Sequence, residues 1–304
     1  MRALASPASL KGVLTAAEAA AALAEGFRAG GADVEELPVG DGGEGTAGLF
    51  GPCSVTRQGV PDAFGRPREA GIYELEDGVA VVESAEAIPL DPGHLDPMTA
   101  SSRGLGELIS FVAEGTPLVV CLGGTANVDG GEGLREVLDR LPGPTTVLCD
   151  ALVPLVDAAR LFAPQKGATP EQVRLLERRL AAMDELRPYA DLPGAGAAGG
   201  LGAALAALGA QLVPGARYVL ERLRFRERAR AADLVVTGEG TIDRTTREGK
   251  APGEVVRTCR EEGVRCVVFG GRVVEQLPHA VVYELSGNPA RAREDLVRLA
   301  RELS

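Results

Sequence analysis

Short apolar runs and segments with apolar residues at helical spacing alternate along this chain. The first residues read as a short strand. Residues 6–12 then form a loop, and Thr15 with Glu18 makes a capping box that opens a helix through about Arg28. Gly30 and Gly31 end that helix. Residues 34–39 form a second strand that runs directly into Gly40-Asp-Gly-Gly-Glu-Gly-Thr46. Between 54 and 90 the pattern changes to twisted strands: 73–76 alternates, 79–82 is apolar, and turns fall at 64–67 and at Asp77-Gly78. Residues 99–114 read as a helix. Leu118–Leu122 is a short central strand, followed by the glycine-dense stretch 123–133 and a helical segment from Leu134. A strand at 147–149 ends at Asp150, and Thr169, Pro170 and Gln172 start a long helix to about Leu186. In the last third, strands at 234–236, 266–269 and 281–283 alternate with helices near 252–262 and 290–303.

Strands that end in glycine or small-residue loops before a helix are the pattern of a parallel sheet, with ligands at its carboxyl ends. Asp41-Gly-Gly-Glu-Gly45 recurs letter for letter at Asp129-Gly-Gly-Glu-Gly133, and Thr237-Gly-Glu-Gly240 echoes both. Glycines there let backbone N–H groups point outward as an anion nest, and carboxylates beside phosphates point to a divalent cation. A tight turn held by an Asx hydrogen bond is the competing reading for Asp41 and Asp129. Gly194, Gly196 and Gly199 spell a dinucleotide fingerprint, but no strand precedes them and Pro193 interrupts, so a hinge or a loop over a substrate fits better. Gly249-Lys250-Ala251 departs from a Walker A motif, with Arg244 in place of its first glycine and Ala251 in place of its Ser or Thr.

The length of 304 residues suits two lobes. A formal charge of −11 disfavours nucleic acid and anionic membrane as partners, so phosphates must be met locally. No apolar run reaches the roughly 18–20 residues of a membrane span, and the start lacks a signal peptide's apolar region. A cytoplasmic location is therefore expected. Five scattered cysteines without a C-x-x-C pair read as small hydrophobes, and His94 and His279 suggest no metal motif. Of 32 basic residues only Lys11, Lys166 and Lys250 are lysine, each beside a glycine. An ammonium is not replaceable by a guanidinium where a phosphate or hydroxyl must be met at a point, so at least two of them are expected at a site.

Taken together, these stretches resemble the type I glycerate kinases (the glycerate 2-kinase family). The matching pieces, in order, are 6–12, Pro-Val-Gly-Asp-Gly-Gly-Glu-Gly-Thr at 38–46, Gly-Arg-Pro at 65–67, Gly-Leu-Gly-Glu-Leu-Ile at 104–109, and Leu-Gly-Gly-Thr-Ala at 122–126 with Asp-Gly-Gly at 129–131. They continue with Pro-Gln-Lys-Gly-Ala-Thr-Pro-Glu at 164–171, the glycine run at 192–202, and Asp-Leu-Val-Val-Thr-Gly-Glu-Gly at 233–240 with Asp243 and Gly249-Lys250. The chain departs from the family pattern at Ala8, at 125–129 around Val128, at Leu152 and Val153, and at Thr241, Thr245 and Glu248, and it is trimmed between 133 and 147.

The resemblance implies an α/β fold of two different domains with the active site in the cleft between them. One is Rossmann-like, three-layered with a parallel sheet, and the other has a mixed sheet. The rhythm of elements assigns 1–52 and 215–304 to the first and 53–214 to the second. The implied activity is ATP-dependent phosphorylation of a hydroxyl of D-glycerate, with Mg2+ and with 2-phosphoglycerate as product. Gly123, Gly124 and Thr125, and Gly238, Glu239 and Gly240, would cradle phosphates. Lys11 or Lys250 would meet the transferring phosphoryl group. Asp129, Asp243 or Glu239 would hold Mg2+ or orient the hydroxyl, and Asp41 is the first choice of base. Lys166 or Arg66 would meet the substrate carboxylate, with Ser9 and Gly196 also at the substrate. A kinase homologue kept for binding or regulation, or a kinase for another small hydroxy acid, stays open as the alternative, and so does a homodimer.

Overall fold

The first helix, Ala16–Ala29, starts as its sequence dictates. The Thr15 hydroxyl accepts from the Glu18 amide, and the Glu18 carboxylate accepts from the Thr15 amide. The same device at Thr169 and Gln172 opens the helix Pro170–Ala181. The computed structural model describes residues 1–247 and 249–304. Glu248 lies outside the described residues. In chain order the strands are β1 (Arg2–Ala5), β2 (Asp33–Glu36), β3 (Ser54–Pro61), β4 (Pro67–Glu74), β5 (Ala80–Glu83), β6 (Leu118–Leu122), β7 (Thr145–Cys149), β8 (Gln211–Pro214), β9 (Leu234–Ile242), β10 (Arg265–Val273) and β11 (Val281–Glu284).

Residues 1–41 and 216–304 form one compact unit, and residues 42–215 form the other. The first unit holds a wholly parallel sheet in the order β11-β10-β9-β1-β2. Alternation along the strands sends Ala3, Ala5, Leu234, Val236 and Phe269 toward the helices Ala16–Ala29 and Ala292–Leu303. Leu4, Val235 and Val268 face the opposite way, toward Gly215–Arg222, Phe225–Arg230 and Ala251–Glu262. Central strands buried on both faces carry near-continuous apolar runs, as parallel sheets require. This is a three-layer α/β unit.

The second unit is built on a mixed sheet, β3-β4-β5-β6-β7-β8. β3, β4 and β5 pair antiparallel, and β5 to β8 pair parallel. Its core gathers Val82, Leu105, Leu108, Leu122 and Leu201. A smaller cluster of Leu155, Leu176, Leu180 and Leu186 sits under the helix Pro170–Ala181. No described helix is long and apolar enough to cross a membrane.

Several boundaries differ from the sequence reading. The helix expected over 99–114 is confined to Arg103–Ser110, and the one expected to reach Leu186 ends at Ala181 before a separate 3-10 segment, Asp184–Tyr189. The strand expected at 234–236 runs on to Ile242, so Gly238, Glu239 and Gly240 lie in a strand rather than in a loop. Glycines break strand propensity in sequence, but pairing of Gly238 with Phe269 and Glu239 with Gly270 carries the ladder through them. β8 has no signal of its own and is held by pairing with β7.

Candidate active site

In the first unit, polar groups from distant positions meet at the carboxyl end of the parallel sheet. Asp41 follows β2, and its Oδ1 accepts from the Ala251 amide at the start of the helix Ala251–Glu262. A carboxylate there is favoured by the unpaired first-turn N–H groups of the helix. Lys250 is the N-cap residue, and its ammonium lies 3.4 Å from Oε2 of Glu239 on β9. The Thr246 hydroxyl donates to the other Glu239 oxygen at 2.7 Å. Asp243, just past β9, accepts from the Thr245 amide and hydroxyl at 2.8 and 2.6 Å.

Lys250 acts electrostatically on all three carboxylates. Burial pushes the Asp41 carboxyl above its ordinary value, against the Ala251 amide and Lys250. Burial also pushes Glu239 up, with Lys250 and Thr246 opposing and the Asp41 charge adding to the rise. At Asp243 the upward pull of burial is outweighed by Thr245, Lys250 and Thr246, which leave it below its ordinary value. Two hydroxyls complete the picture. Ser6, just past β1, and Thr237 on β9 are fully buried, and neither side-chain oxygen has a partner. By the two-residue alternation they follow Leu4 and Val235, on the sheet face covered by Ala251–Glu262.

In the second unit the loop after β6 is held from inside. Asp129 is buried, and five donors fill its oxygens. Oδ1 accepts from Asn127 Nδ2 and the Gly131 amide, and Oδ2 accepts from the Ser102 amide and hydroxyl and the Gly133 amide. The sequence expectation puts Asp129 at a metal. In the structure its oxygens meet donors of the loop and of Ser102, and so it organises 127–133. Gly123 and Gly124 have φ of 154° and 66°, and the Gly123 amide and carbonyl both meet the Ser84 hydroxyl. Lys166, at the end of the 3-10 turn Pro164–Lys166, is buried. Its ammonium donates to the Asn127 carbonyl at 2.6 Å and to the Thr125 hydroxyl at 3.4 Å. Burial lowers its pKa to about 8, against the charges of Asp150 and Asp129.

The glycine run at 194–202, read from sequence as a hinge or a loop over a substrate, packs inside the second unit. It is buried and interlocked with the 123–133 loop. The Gly130 amide donates to the Gly199 carbonyl at 3.0 Å. A Cβ on Gly199 would stand 2.2 Å from the Asn127 carbonyl oxygen, and its φ is +71°. Gly196 is packed against the Pro154 carbonyl in the same way.

The remaining expected residues are less engaged. Arg66 pairs with Asp62 at 2.6 Å, stacks 5.6 Å from the Phe64 ring and reaches Asp91 at 3.8 Å. The segment that carries Asp91 touches the other pieces too: Leu90 donates to the Gly124 carbonyl at 2.7 Å, and Leu95 packs on Gly167. Ser9 and Lys11 are exposed, with the Lys11 backbone beside Gly240. Sequence reasoning missed Glu83, which is buried and accepts from the Gly45 and Ala47 amides at 2.8 and 2.6 Å. An acid closing the apolar run of β5 was its signal. Thr246, Ser102 and Asn127 carried none.

Carboxylates around a lysine at a helix start, at the strand ends of a parallel sheet, stand where α/β folds place their ligand sites. Comparison with known proteins sharpens this. The model of the "Glycerate kinase family" matches residues 3–142 and 134–288. The glycerate kinase of Bacillus subtilis (strain 168) is 34% identical over 90% of this chain and 85% of its own. The glycerate 2-kinase of Escherichia coli (strain K12) is 34% identical over 91% and 87%. A crystal structure from Salmonella typhimurium LT2, of a protein provisionally named glycerate kinase 2, superposes with a TM-score of 0.77 at 30% identity, covering 100% of this chain and 97% of that one. This chain belongs to the glycerate kinase family, and it is a kinase.

Proposed function

We propose that the protein transfers the γ-phosphoryl group of ATP to a hydroxyl of D-glycerate, giving 2-phosphoglycerate. The observation that carries this reading is the meeting of Asp41, Glu239 and Lys250 at the start of the helix Ala251–Glu262 in a chain of this family. Phosphoryl transfer asks a protein for positioning and charge neutralisation rather than covalent chemistry. Lys250 supplies a half-buried ammonium, and the helix start supplies N–H groups for a phosphate. Asp41 is the base we assign to the attacking hydroxyl, since a carboxyl raised by burial accepts a proton more readily than an ordinary one.

The residues present fit Mg2+ carried in by a nucleotide. Such an ion takes one or two protein carboxylates and completes its shell with phosphate and water oxygens. Among the described residues no group of three or more acids, histidines or cysteines is arranged to hold an ion alone. Glu239 and Asp243 would hold it, with the unpartnered Ser6 and Thr237 hydroxyls as further oxygens on the same sheet face. Bound there, Mg2+ would neutralise phosphate charge.

In the second unit Lys166 is the cation we assign to the anionic end of a substrate. Two of its N–H groups are fixed by Asn127 and Thr125, which aims the third. All five cysteines are free and four are buried, which suits a reducing, cytosolic setting.

The test is a turnover assay with Mg-ATP and D-glycerate, coupled to enolase with phosphoglycerate mutase left out. Enolase consumes 2-phosphoglycerate directly and cannot use the 3-isomer. A signal that depends on glycerate and is lost in Lys250→Ala supports the reading. ADP release without an enolase signal moves the phosphate to the other hydroxyl. No ADP release with any small hydroxy acid refutes it.

A further inference from the structure

The second unit has a cavity that the kinase reading does not use. It is a half-open cleft of about 490 Å3 beside the helix Pro170–Ala181. Its floor is Leu155, Leu180 and Met183, and its rim carries Arg174, Arg178 and Arg187. Such a volume is of the size of an ordinary small-molecule pocket. A three-carbon acid would leave most of it empty, so it is not a second glycerate site. The lining has no hydroxyl, no carboxamide and no aromatic ring. A polyol or a nucleotide base would leave the aliphatic floor of Leu155, Leu180 and Met183 unmatched.

We propose that this cavity binds an apolar organic anion, a hydrocarbon chain or ring ending in a carboxylate. The chain's net charge is −11, yet three guanidiniums and one carboxylate, Glu177, line this opening. Arg174 and Arg187 are each held by an acid three residues away, Glu171 and Asp184. Those acids orient their guanidiniums without standing in the lining. Among the described residues Arg178 has no acidic partner, and it is the charge that meets the ligand's head. Guanidinium forks match carboxylates. The apolar tail displaces water from Leu155, Leu180 and Met183. Val156, 69% exposed at the cavity edge, is the wall that the tail would cover.

The probe is decanoate, with decanol as its uncharged counterpart, titrated calorimetrically into the full chain. Decanoate is expected to saturate at one site per chain, and decanol to bind at least about tenfold more weakly. Arg178→Glu is expected to weaken decanoate about tenfold or more, and Ala181→Trp, on an exposed lining position, to block it by filling the cavity. Both variants should keep wild-type kinase turnover, which shows that they fold. If Ala181→Trp fails that check, Arg178→Glu alone decides. The proposal is overturned by an absence of saturable binding, by equal affinity for decanol, or by binding that ignores both substitutions. It is also overturned if sedimentation shows self-association that Ala181→Trp abolishes while decanoate has no effect, for then a second copy fills the groove.

Discussion

Lys166 offers the sharpest quantitative test. Its pKa is lowered from an ordinary 10.5 to about 8 because the ammonium is buried, with Asp150 and Asp129 offsetting part of the loss. That difference corresponds to about 3 kcal/mol against the charged form in the folded protein. The sign follows from proton counting. Between about pH 8 and 10.5 the unfolded chain holds a proton on this lysine and the folded one does not, so stability rises with pH across that window. The contribution is fully present above 10.5 and is lost as pH falls through 8. Replacing the lysine by methionine keeps the apolar stem and removes the titration. Urea midpoints of wild type and Lys166→Met, measured from pH 7.5 to 10, should therefore change their separation by about 2 kcal/mol, in the wild type's favour at high pH. The comparison cancels the buried thiols of Cys121, Cys149 and Cys266, whose raised pKa values act in the opposite direction. Parallel curves for the two proteins would show that this ammonium is not buried as described. Turnover adds a second readout. If the charged form holds the substrate's anionic end, the Michaelis constant for glycerate climbs as pH passes about 8. The climb is absent in Lys166→Met, whose Michaelis constant is high throughout.

Lys250→Ala should lower turnover by roughly a hundredfold or more, about 2.7 kcal/mol of transition-state stabilisation, at near-wild-type thermal stability; unchanged turnover would move the phosphate contact elsewhere. Asp41→Asn should remove turnover. Because burial holds the Asp41 carboxyl above its ordinary value, wild-type activity should fall on acidification at a higher pH than a solvent-exposed aspartate would give. Thr246→Val removes a hydrogen bond that holds the Glu239 carboxyl down, so Glu239 should take up a proton at a higher pH than in wild type, read as weaker Mg2+ dependence of turnover on acidification. Gly199→Ala must place a Cβ 2.2 Å from a carbonyl oxygen at φ +71°, whereas Gly209→Ala, at φ +95°, meets open space. Urea unfolding should give about 3–5 kcal/mol of destabilisation for the first and about 1–2 for the second. Equal losses would mean the close approach costs nothing.

The strand rhythm of both sheets was legible because parallel strands buried on two faces are written as unbroken apolar runs, as in Leu118–Leu122. The helix starts at Thr15 and Thr169 were legible because a capping box is a local code. What was not legible depends on partners far away in sequence. Gly238 to Gly240 read as a loop, yet β10 pulls them into a strand. The pentapeptide at 41–45 and its twin at 129–133 share every letter. Asp129 turns inward to three donors of its own loop and two of Ser102, whereas Asp41 accepts from an amide 210 positions away. Spelling fixes what a loop can do, and the neighbours brought by folding decide which of those things it does. The three scarce lysines divide in the same way. Lys166 and Lys250 are drawn into polar clusters, whereas Lys11 stays in solvent.

The interlock of the 123–133 loop with the glycine run has a consequence for how the protein comes into being. Asn127 donates to the Ala198 carbonyl across 71 positions of chain, and Gly130 and Gly199 bond beside it. Closing so long a span is entropically costly, and contacts of that reach form slowly. During synthesis the loop leaves the ribosome well before the segment that packs against it, and its bonds to Ala198 and Gly199 form only once 194–202 arrives. The kinase should therefore gain activity in a late step of refolding, behind its far-ultraviolet circular dichroism signal. A nascent chain stopped before residue 194 would be the form most in need of a chaperone.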